Sequence, residues 1–233
     1  MPSLMGELHA LAQGGATGDA GQWTKRDNEI VEILPTGERK VRFVPTSARE
    51  TPAAIDLLCR NYEQACGSEA VPPLLIVATF VFDFLCIHPF RDGNGRVARL
   101  LTTLLLQSHG FQVARYISLE RMVEASRDEY YRVLAECSRG WPEGNNEILP
   151  WWNYFLSLIR AAYRDFEMQV EFSPARPAKG DLVRHARCSR RWRSSHSPIS
   201  RRQLVKKVLA ELKKRRQVSL VGRGRSARWR VSG

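Results

Sequence analysis

Residues 74–87 read LLIVATFVFDFLCI, and residues 88–99 continue directly as HPFRDGNGRVAR. The first stretch is the longest apolar run of the chain and predicts a buried helix. Pro89 cannot continue that helix, because proline lacks an N–H group and its ring clashes with the preceding turn. We therefore predict a polar, glycine-containing loop over 89–95, followed by a second helix that stops at Gly110.

Apolar residues at helical spacing predict further helices on both sides of this pair. These helices cover residues 3–13, about 51–66, 118–137 and 149–170. The stretches EIVEIL and KVRFV lie on either side of a Pro-Thr-Gly-Glu turn and alternate apolar with polar residues, which is typical of a β-hairpin over 29–44. The predicted fold class is mainly α with one small hairpin.

Charge divides the chain into two parts. The net charge of the 233 residues is +12, but residues 174–233 hold 19 basic against 2 acidic residues and so carry +17, which leaves the rest at −5. Such asymmetry is typical of two units with different partners. We predict a first domain over 1–172, a linker at 173–180 and a small basic domain over 181–233.

The basic domain has the element order of a winged helix-turn-helix. Ser200 can cap a helix over 201–216, and VSLV and ARWRV on either side of a Gly-Arg-Gly turn predict a second hairpin. The segment CSRRWRSSHSP at 188–198 is a poor first half of the motif, so the unit is irregular.

Cysteine usage and hydropathy predict a cytoplasmic protein without a membrane anchor. The five cysteines form no CxxC pair, which is typical of small buried side chains in a reducing compartment. The apolar run at 74–87 is shorter than the roughly 20 residues of a membrane span, and Asp83 interrupts it. No signal-peptide pattern precedes it.

The segment 88–99 has the composition of a polyphosphate site. Gly93 and Gly95 allow a tight turn that aims several N–H groups at one point, and the helix that starts there adds a partial positive charge. Arg96 and Arg99 lie three residues apart on one helical face, where two guanidinium groups can bind two phosphates. The chain has no Walker A pattern, so this is another kind of phosphate loop.

The remaining polar residues of the segment can supply chemistry. Asp92 is placed to hold Mg²⁺ beside phosphates, and Asn94 can donate a hydrogen bond to a phosphate oxygen. His88 has an ordinary pKa near neutrality and can take a proton from an attacking hydroxyl group. The combination predicts an enzyme that moves part of a nucleoside triphosphate onto another protein.

The sequence HPFRDGNGRVAR resembles the signature of the Fic family, HPFx[D/E]GNGRxxR, at every specified position. The likeness extends over roughly 21–170. It includes GQWTKRDNEI at 21–30, Phe43-Val44-Pro45 and the pair Tyr130-Tyr131.

The resemblance implies a protein adenylyltransferase that moves AMP from ATP to a Ser, Thr or Tyr hydroxyl group of a target protein. His88 would be the general base, and Asp92 would hold Mg²⁺. The phosphates would be bound by Gly93, Asn94 and Gly95 as the anion hole, with Arg96 on the β-phosphate and Arg99 on the γ-phosphate.

Two further groups of residues take their roles from the same resemblance. The hairpin over 29–44, with Arg42, Phe43 and Val44, would be a flap that aligns the target as an added strand. Tyr130 and Tyr131 would lie near the nucleotide base, and packing in the core is the alternative for both.

One feature of many Fic proteins is absent. The inhibitory pattern [S/T]xxxE[G/N] has its nearest match at Ser3 to Glu7, but Leu8 follows in place of Gly or Asn. We predict that the chain lacks its own inhibitory helix. An N-terminally shortened form and a separate inhibitor protein both remain open, as does a homo-oligomer.

Two alternative functions stay open. The same fold could transfer UMP, phosphocholine or the γ-phosphoryl group. The chain could instead be a DNA-binding regulator that only senses nucleotide and contacts DNA phosphates through residues 181–233. The intact His88 favours an enzyme, because nucleotide binding alone needs no base.

Overall fold

The computed structural model describes residues 1–13, 19–33, 36–68, 70–171, 218–221 and 228–231. Within these ranges the chain forms helices α1 (Pro2–Gln13), α2 (Thr51–Gly67), α3 (Pro73–Ile87), α4 (Asn94–Ser108), α5 (Leu119–Ala125), α6 (Arg127–Cys137) and α7 (Leu149–Glu171). The strands are β1 (Ile30–Ile33), β2 (Arg39–Phe43), β3 (Val218–Val221) and β4 (Arg228–Val231). A short 3-10 turn over Val113–Arg115 was not predicted. The mainly helical fold class with a small hairpin is confirmed.

One predicted helix is wrong. The structure divides 118–137 into α5 and α6 at Ser126, whose backbone leaves the helical region at φ −112° and ψ 30°. The Ser126 hydroxyl group donates to the carbonyl of Met122 and shares a hydrogen bond of 2.8 Å with the Tyr154 hydroxyl. The bond to Tyr154 ties Ser126 to α7 at the point where the helix breaks.

The hydrophobic core is built around α3, which packs against α2, α4 and α7. Helix α3 buries nine of its fifteen residues, and this explains why its sequence is apolar nearly all round. Trp151 of α7 is 2 % exposed and donates its indole N–H to the carbonyl of Ala78 in α3 at 2.8 Å. This central helix therefore provides a rigid base for the loop that follows it.

The N-terminal hairpin is a two-stranded antiparallel sheet. Ile30 pairs with Phe43 and Val31 pairs with Val41, so Arg42 is the extra residue of a β-bulge. Strands β3 and β4 also pair antiparallel, from Val218 opposite Val231 to Val221 opposite Arg228.

Several predictions about the C-terminal part lie outside the described residues. They concern the linker at 173–180, the helix at 201–216 and the turn at 222–224. The winged helix-turn-helix therefore stays a prediction. Among the described helices, none combines the length and the apolar character needed to cross a membrane.

Candidate functional site

The site is the loop between α3 and α4, and Phe90 anchors it in the core. Phe90 is fully buried, and its ring lies parallel to the imidazole of His9, with centroids 4.0 Å apart. Trp23 and Phe84 contact the same ring from other sides. The loop is thus fixed by one aromatic side chain that reaches α1 and α3 together.

Asn94 closes the loop on itself. Its side-chain oxygen accepts from the Phe90 N–H at 2.9 Å, and its side-chain N–H group donates to the Phe90 carbonyl at 2.6 Å. The side chain is 1 % exposed. The polar atoms of Asn94 thus hold the backbone of the loop, and the expectation that this side chain donates to a phosphate stays a prediction.

The segment before the flap supports the loop from the outside. The Asn28 side chain donates to the carbonyls of His88 and Phe90 at 3.3 and 3.1 Å. The Thr24 N–H donates to the Pro89 carbonyl at 2.8 Å. Three successive carbonyls of the loop, at 88–90, thus accept hydrogen bonds from other parts of the protein.

His88 ends α3 in the left-handed conformation, at φ 53° and ψ 56°. Among the described residues it is the one non-glycine with positive φ, and such a conformation persists only where the surroundings impose it. Its Nδ1 atom lies 3.3 Å from the Leu85 carbonyl. Since a carbonyl only accepts, Nδ1 carries the proton and Nε2 keeps a lone pair.

The electrostatic surroundings of His88 favour the neutral ring. Burial lowers the pKa of the His88 imidazole from its ordinary value, and the hydrogen bond to Leu85 and the charge of Asp92 only partly oppose this. A neutral imidazole with a free Nε2 is the form that can accept a proton.

Geometry requires a glycine at one of the two positions 93 and 95. This holds for Gly93, which precedes α4 at φ 80°, a conformation that side chains rarely adopt, whereas a Cβ at 95 would meet only the flexible end of Arg99, at 3.3 Å from Nη1. Among the described residues, the N–H groups of Gly93 and of the first three residues of α4, at 94–96, have no acceptor. These groups can bind an anion.

Arg96 is held by groups of the protein. Its Nη2 donates to the Asp92 carboxylate at 3.1 Å and to Gln13 Oε1 at 3.2 Å, and Nη1 donates to the Ala12 carbonyl at 3.3 Å. The Asp92 side chain is 80 % exposed, so its carboxylate is open to solvent on the other side. A phosphate at this point would share Arg96 with the end of α1.

Arg99 faces an acidic side chain of α5. Its Nε lies 3.0 Å from Glu120 Oε1 in an ion pair. The same Nε is buried and has no acceptor in hydrogen-bond geometry within the described residues. The Arg99 side chain is 34 % exposed, so the exposed part of its guanidinium group can take up an additional anion.

The two tyrosines differ in their surroundings. Tyr130 packs against the rings of Trp151, Tyr154 and Tyr131. Burial raises the pKa of its hydroxyl group, and the positive charge of Arg99 opposes this shift. Tyr131 is 46 % exposed, and the guanidinium group of Arg127 lies 5.7 Å from its ring centroid. Tyr130 therefore belongs to the packing behind Arg99, and Tyr131 is the tyrosine with an accessible ring.

The flap residues contact the rest of the domain at its base. Arg42 donates to the Tyr131 carbonyl at 3.4 Å and pairs with Glu32 at 3.6 Å. Phe43 meets the ring of Trp141 edge to face, whereas Val44 is 57 % exposed. Because β1 and β2 form a two-stranded sheet, each has an outer edge without a neighbouring described strand.

The donor set for Mg²⁺ is small. The described residues contain no group of three or more His, Cys, Asp or Glu side chains able to enclose a metal ion. Asp92 is one exposed carboxylate next to Gly93 and the start of α4. Mg²⁺ commonly uses one or two carboxylates and takes its other ligands from phosphates and water, so this residue fits that metal.

Sequence reasoning missed four residues of the site, namely His9, Gln13, Asn28 and Glu120. Each contacts the motif from another element, at separations of 21 to 83 residues. His9 and Gln13 lie one helical turn apart on α1, and Asn28 lies in the quoted stretch 21–30. The position of His9 on the apolar face of α1 was the one sequence signal that could have identified it.

Comparison with known proteins finds sequence similarity to the Fic/DOC family over part of the chain. Residues 2–106 fit the sequence model of the Fic/DOC family. A Fido domain-containing protein of Dictyostelium discoideum is 35 % identical over 89 residues, covering 38 % of this chain and 58 % of that protein. The protein adenylyltransferase Fic of Nematostella vectensis is 34 % identical over 74 residues, which cover 31 % of this chain and 16 % of that enzyme. The chain thus spans just over half of the first relative and a small part of the second.

Solved structures agree on the fold. A Fic domain containing signaling protein from Bacteroides thetaiotaomicron superposes with a TM-score of 0.55 at 28 % identity, over 70 % of this chain and 61 % of that one. A Fic family protein from Desulfovibrio desulfuricans superposes with a TM-score of 0.58 at 22 % identity, over 100 % of this chain and 70 % of that one. At that identity the second likeness concerns the fold alone.

Proposed function

We propose that this chain, which carries a Fic/DOC family domain over residues 2–106, transfers AMP from ATP to a hydroxyl group of a target protein. The observation that carries the proposal is the half-buried His88 imidazole, with Nδ1 at the Leu85 carbonyl, on the same loop as the N–H groups at the start of α4 that have no acceptor in the described part of the chain. A base and an anion site held by one rigid loop are what hydroxyl attack on a phosphate requires.

The chemical step would proceed as follows. The hydroxyl oxygen of the target attacks the α-phosphorus, and a new P–O bond forms while the bond from that phosphorus to the bridging oxygen breaks. Nε2 of His88 accepts the hydroxyl proton, and pyrophosphate leaves with the electron pair. The products are the AMP-modified target and pyrophosphate.

The anion-binding groups would hold the triphosphate in line for attack. The N–H groups of Gly93 and the first turn of α4 face the α- and β-phosphates in this arrangement, and the helix dipole adds to the attraction. Arg96 and Arg99 would neutralise the leaving pyrophosphate. Both arginines exchange a protein carboxylate for phosphate when the nucleotide binds, since they pair with Asp92 and Glu120 without it.

Asp92 is the residue that would hold Mg²⁺, which when bound neutralises phosphate charge. The flap would align the target. Its outer strand edge offers backbone hydrogen bonds to an extended segment, and the bulge at Arg42 with the Phe43–Trp141 contact fixes its base.

The proposal is tested with ATP labelled with ³²P at the α- or the γ-position, using the purified chain and Mg²⁺ with a cell extract as the source of targets. We expect that the label which depends on the added chain comes from α-labelled ATP only, and that none appears with His88→Ala. ATP binding should be kept in this variant, because the base does not hold the phosphates. A matched control is His109→Ala, which removes another partly buried imidazole, at the far end of α4.

Three results would count against the proposal. Label from γ-labelled ATP only would indicate phosphoryl transfer. Label that survives His88→Ala would show that another group is the base. ATP binding without labelling in the unaltered chain would favour a nucleotide sensor.

A further inference from the structure

His9 is buried and lies 83 positions before the loop that it contacts. It sits on α1, is 2 % exposed and stacks on Phe90. Its Nδ1 accepts from the Gly21 N–H at 2.9 Å, and its Nε2 lies 3.1 Å from the Asp92 carbonyl. Both ring nitrogens are therefore engaged by backbone groups.

These two contacts fix the tautomer of His9. A backbone N–H only donates, so Nδ1 must be the unprotonated nitrogen, and the ring proton is on Nε2. Nε2–H then donates to the Asp92 carbonyl. The Gln13 amide nitrogen, 3.4 Å from Nε2, is a contact without a hydrogen bond, because both atoms carry hydrogens.

The contact with Gly21 also excludes a charged ring, because protonation at Nδ1 would bring an N–H against the Gly21 N–H. His9 is thus a neutral donor at Nε2 in the folded protein.

The hydrogen bond to Asp92 has a consequence for the next residue. The peptide bond is planar and no cis peptide occurs among the described residues, so the carbonyl of Asp92 and the N–H of Gly93 point in opposite directions. Holding the carbonyl toward α1 directs the Gly93 N–H away from α1. That N–H has no acceptor within the described part of the chain.

Glycine alone would not hold this orientation. Gly93 has the freedom to rotate its flanking peptides, and it adopts φ 80° here. Helix α1 restricts that freedom, since a Cβ at 93 would lie 3.4 Å from Cδ2 of His9 and 3.2 Å from the Gln13 amide nitrogen.

We infer that His9 is a positioning residue that sets the Asp92–Gly93 peptide so that the Gly93 N–H is presented to a bound phosphate. The inference rests on the proposed function, because it assumes that the loop binds phosphate. His9 itself does not touch the reacting atoms. Its effect passes through one peptide group.

The test compares His9→Phe with His9→Gln. Phenylalanine keeps a ring that can stack on Phe90 but removes both hydrogen bonds, whereas glutamine keeps an N–H donor at a similar reach. His109→Phe is the matched control, since His109 bonds the Tyr62 hydroxyl at 2.9 Å, at the other end of α4. Calorimetry measures binding of ATP, pyrophosphate and adenosine to each full-length protein.

We expect His9→Phe to bind ATP and pyrophosphate about tenfold more weakly, as for the loss of one hydrogen bond to a charged group. Its affinity for adenosine should not change, and His9→Gln should recover most of the loss. Unchanged pyrophosphate binding in His9→Phe would overturn the inference. So would an equal loss for adenosine, or a similar loss in His109→Phe.

A second measurement separates this inference from the proposed function. If the unaltered chain binds neither ATP nor pyrophosphate, the proposed function fails, and the presentation of Gly93 to phosphate fails with it. The orientation of the peptide is then judged by NMR of the ligand-free protein. We expect one Gly93 amide signal in the unaltered chain and a broadened or multiple signal in His9→Phe, whereas an identical signal in both would show that His9 does not fix the peptide.

Discussion

Replacement of Glu120 by glutamine should strengthen the binding of ATP. Glu120 lies 3.0 Å from Nε of Arg99, which is the group expected to bind the γ-phosphate. While this ion pair exists, a phosphate must compete with the carboxylate for the guanidinium group. Glutamine has nearly the same shape but no charge, so the variant removes the competitor without opening a cavity.

The size of the effect follows from the exposure of the pair. Two unit charges about 4 Å apart attract by about 4 kcal/mol at an effective dielectric constant of about 20. Exposed ion pairs keep only about 0.2–1 kcal/mol of this as net stabilisation. The Arg99 and Glu120 side chains are 34 % and 23 % exposed, so we take a net value of about 1 kcal/mol, near the top of that range. This corresponds to about fivefold tighter binding of ATP.

The assay is calorimetric titration of ATP with Mg²⁺ into Glu120→Gln, made on a His88→Ala background so that no nucleotide is consumed. Glu124→Gln is the matched control on the same helix, because Glu124 pairs with Arg127 at 3.9 Å and is 75 % exposed. The control should leave the affinity unchanged. Equal or weaker binding in Glu120→Gln, with an unchanged melting temperature, would refute the competition that we describe.

Three further predictions concern stability. Burial raises the pKa of Asp83 to about 6 although Trp141 donates a hydrogen bond to it at 2.9 Å, so the folded state favours the protonated acid. As the pH rises from 4 through 6, the free energy of unfolding of the unaltered protein should fall by up to about 2 kcal/mol relative to that of Asp83→Asn. Urea unfolding at a series of pH values measures this, and parallel curves for the two proteins would contradict it. Trp151→Phe should lower the free energy of unfolding by about 1–3 kcal/mol, because the hydrogen bond to Ala78 and part of the ring are lost, and an unchanged midpoint would argue against that bond. Leu105→Ala should cost about 2–5 kcal/mol, since the side chain is fully buried, and a smaller loss would mean that the core closes around the cavity.

The sequence predicted the elements that carry the motif because local rules determine them. Pro89 cannot continue α3 whatever the rest of the fold is, because proline lacks an N–H group. The long apolar run before it predicts a buried helix. The break at Ser126 was missed because a serine is compatible with a helix until Tyr154, 28 residues later, supplies a partner for its hydroxyl group. Long-range partners of this kind leave no mark in a local pattern.

In the candidate site, too, local features were predicted and long-range contacts were missed. Spacing within 88–99 indicated which residues lie together, and the loop geometry agrees with that grouping. It did not reveal that Asn94 closes the loop, that Glu120 faces Arg99 or that α1 reaches Arg96 and Asp92. These contacts join separate helices, so they depend on the packing of α1, α4 and α5 and not on the composition of any one segment.

The left-handed backbone at His88 places selection for stability in conflict with selection for the chemistry of a histidine side chain. Glycine or asparagine would adopt φ 53° with less strain, and the difference is on the order of 1 kcal/mol. A library screened only for heat resistance should therefore discard the histidine and enrich those two residues at position 88. If His88 is the base, as the proposed function requires, its retention would mark a lineage in which proton transfer is still under selection, and its loss in a relative would give an early sign that the domain has become a binding module.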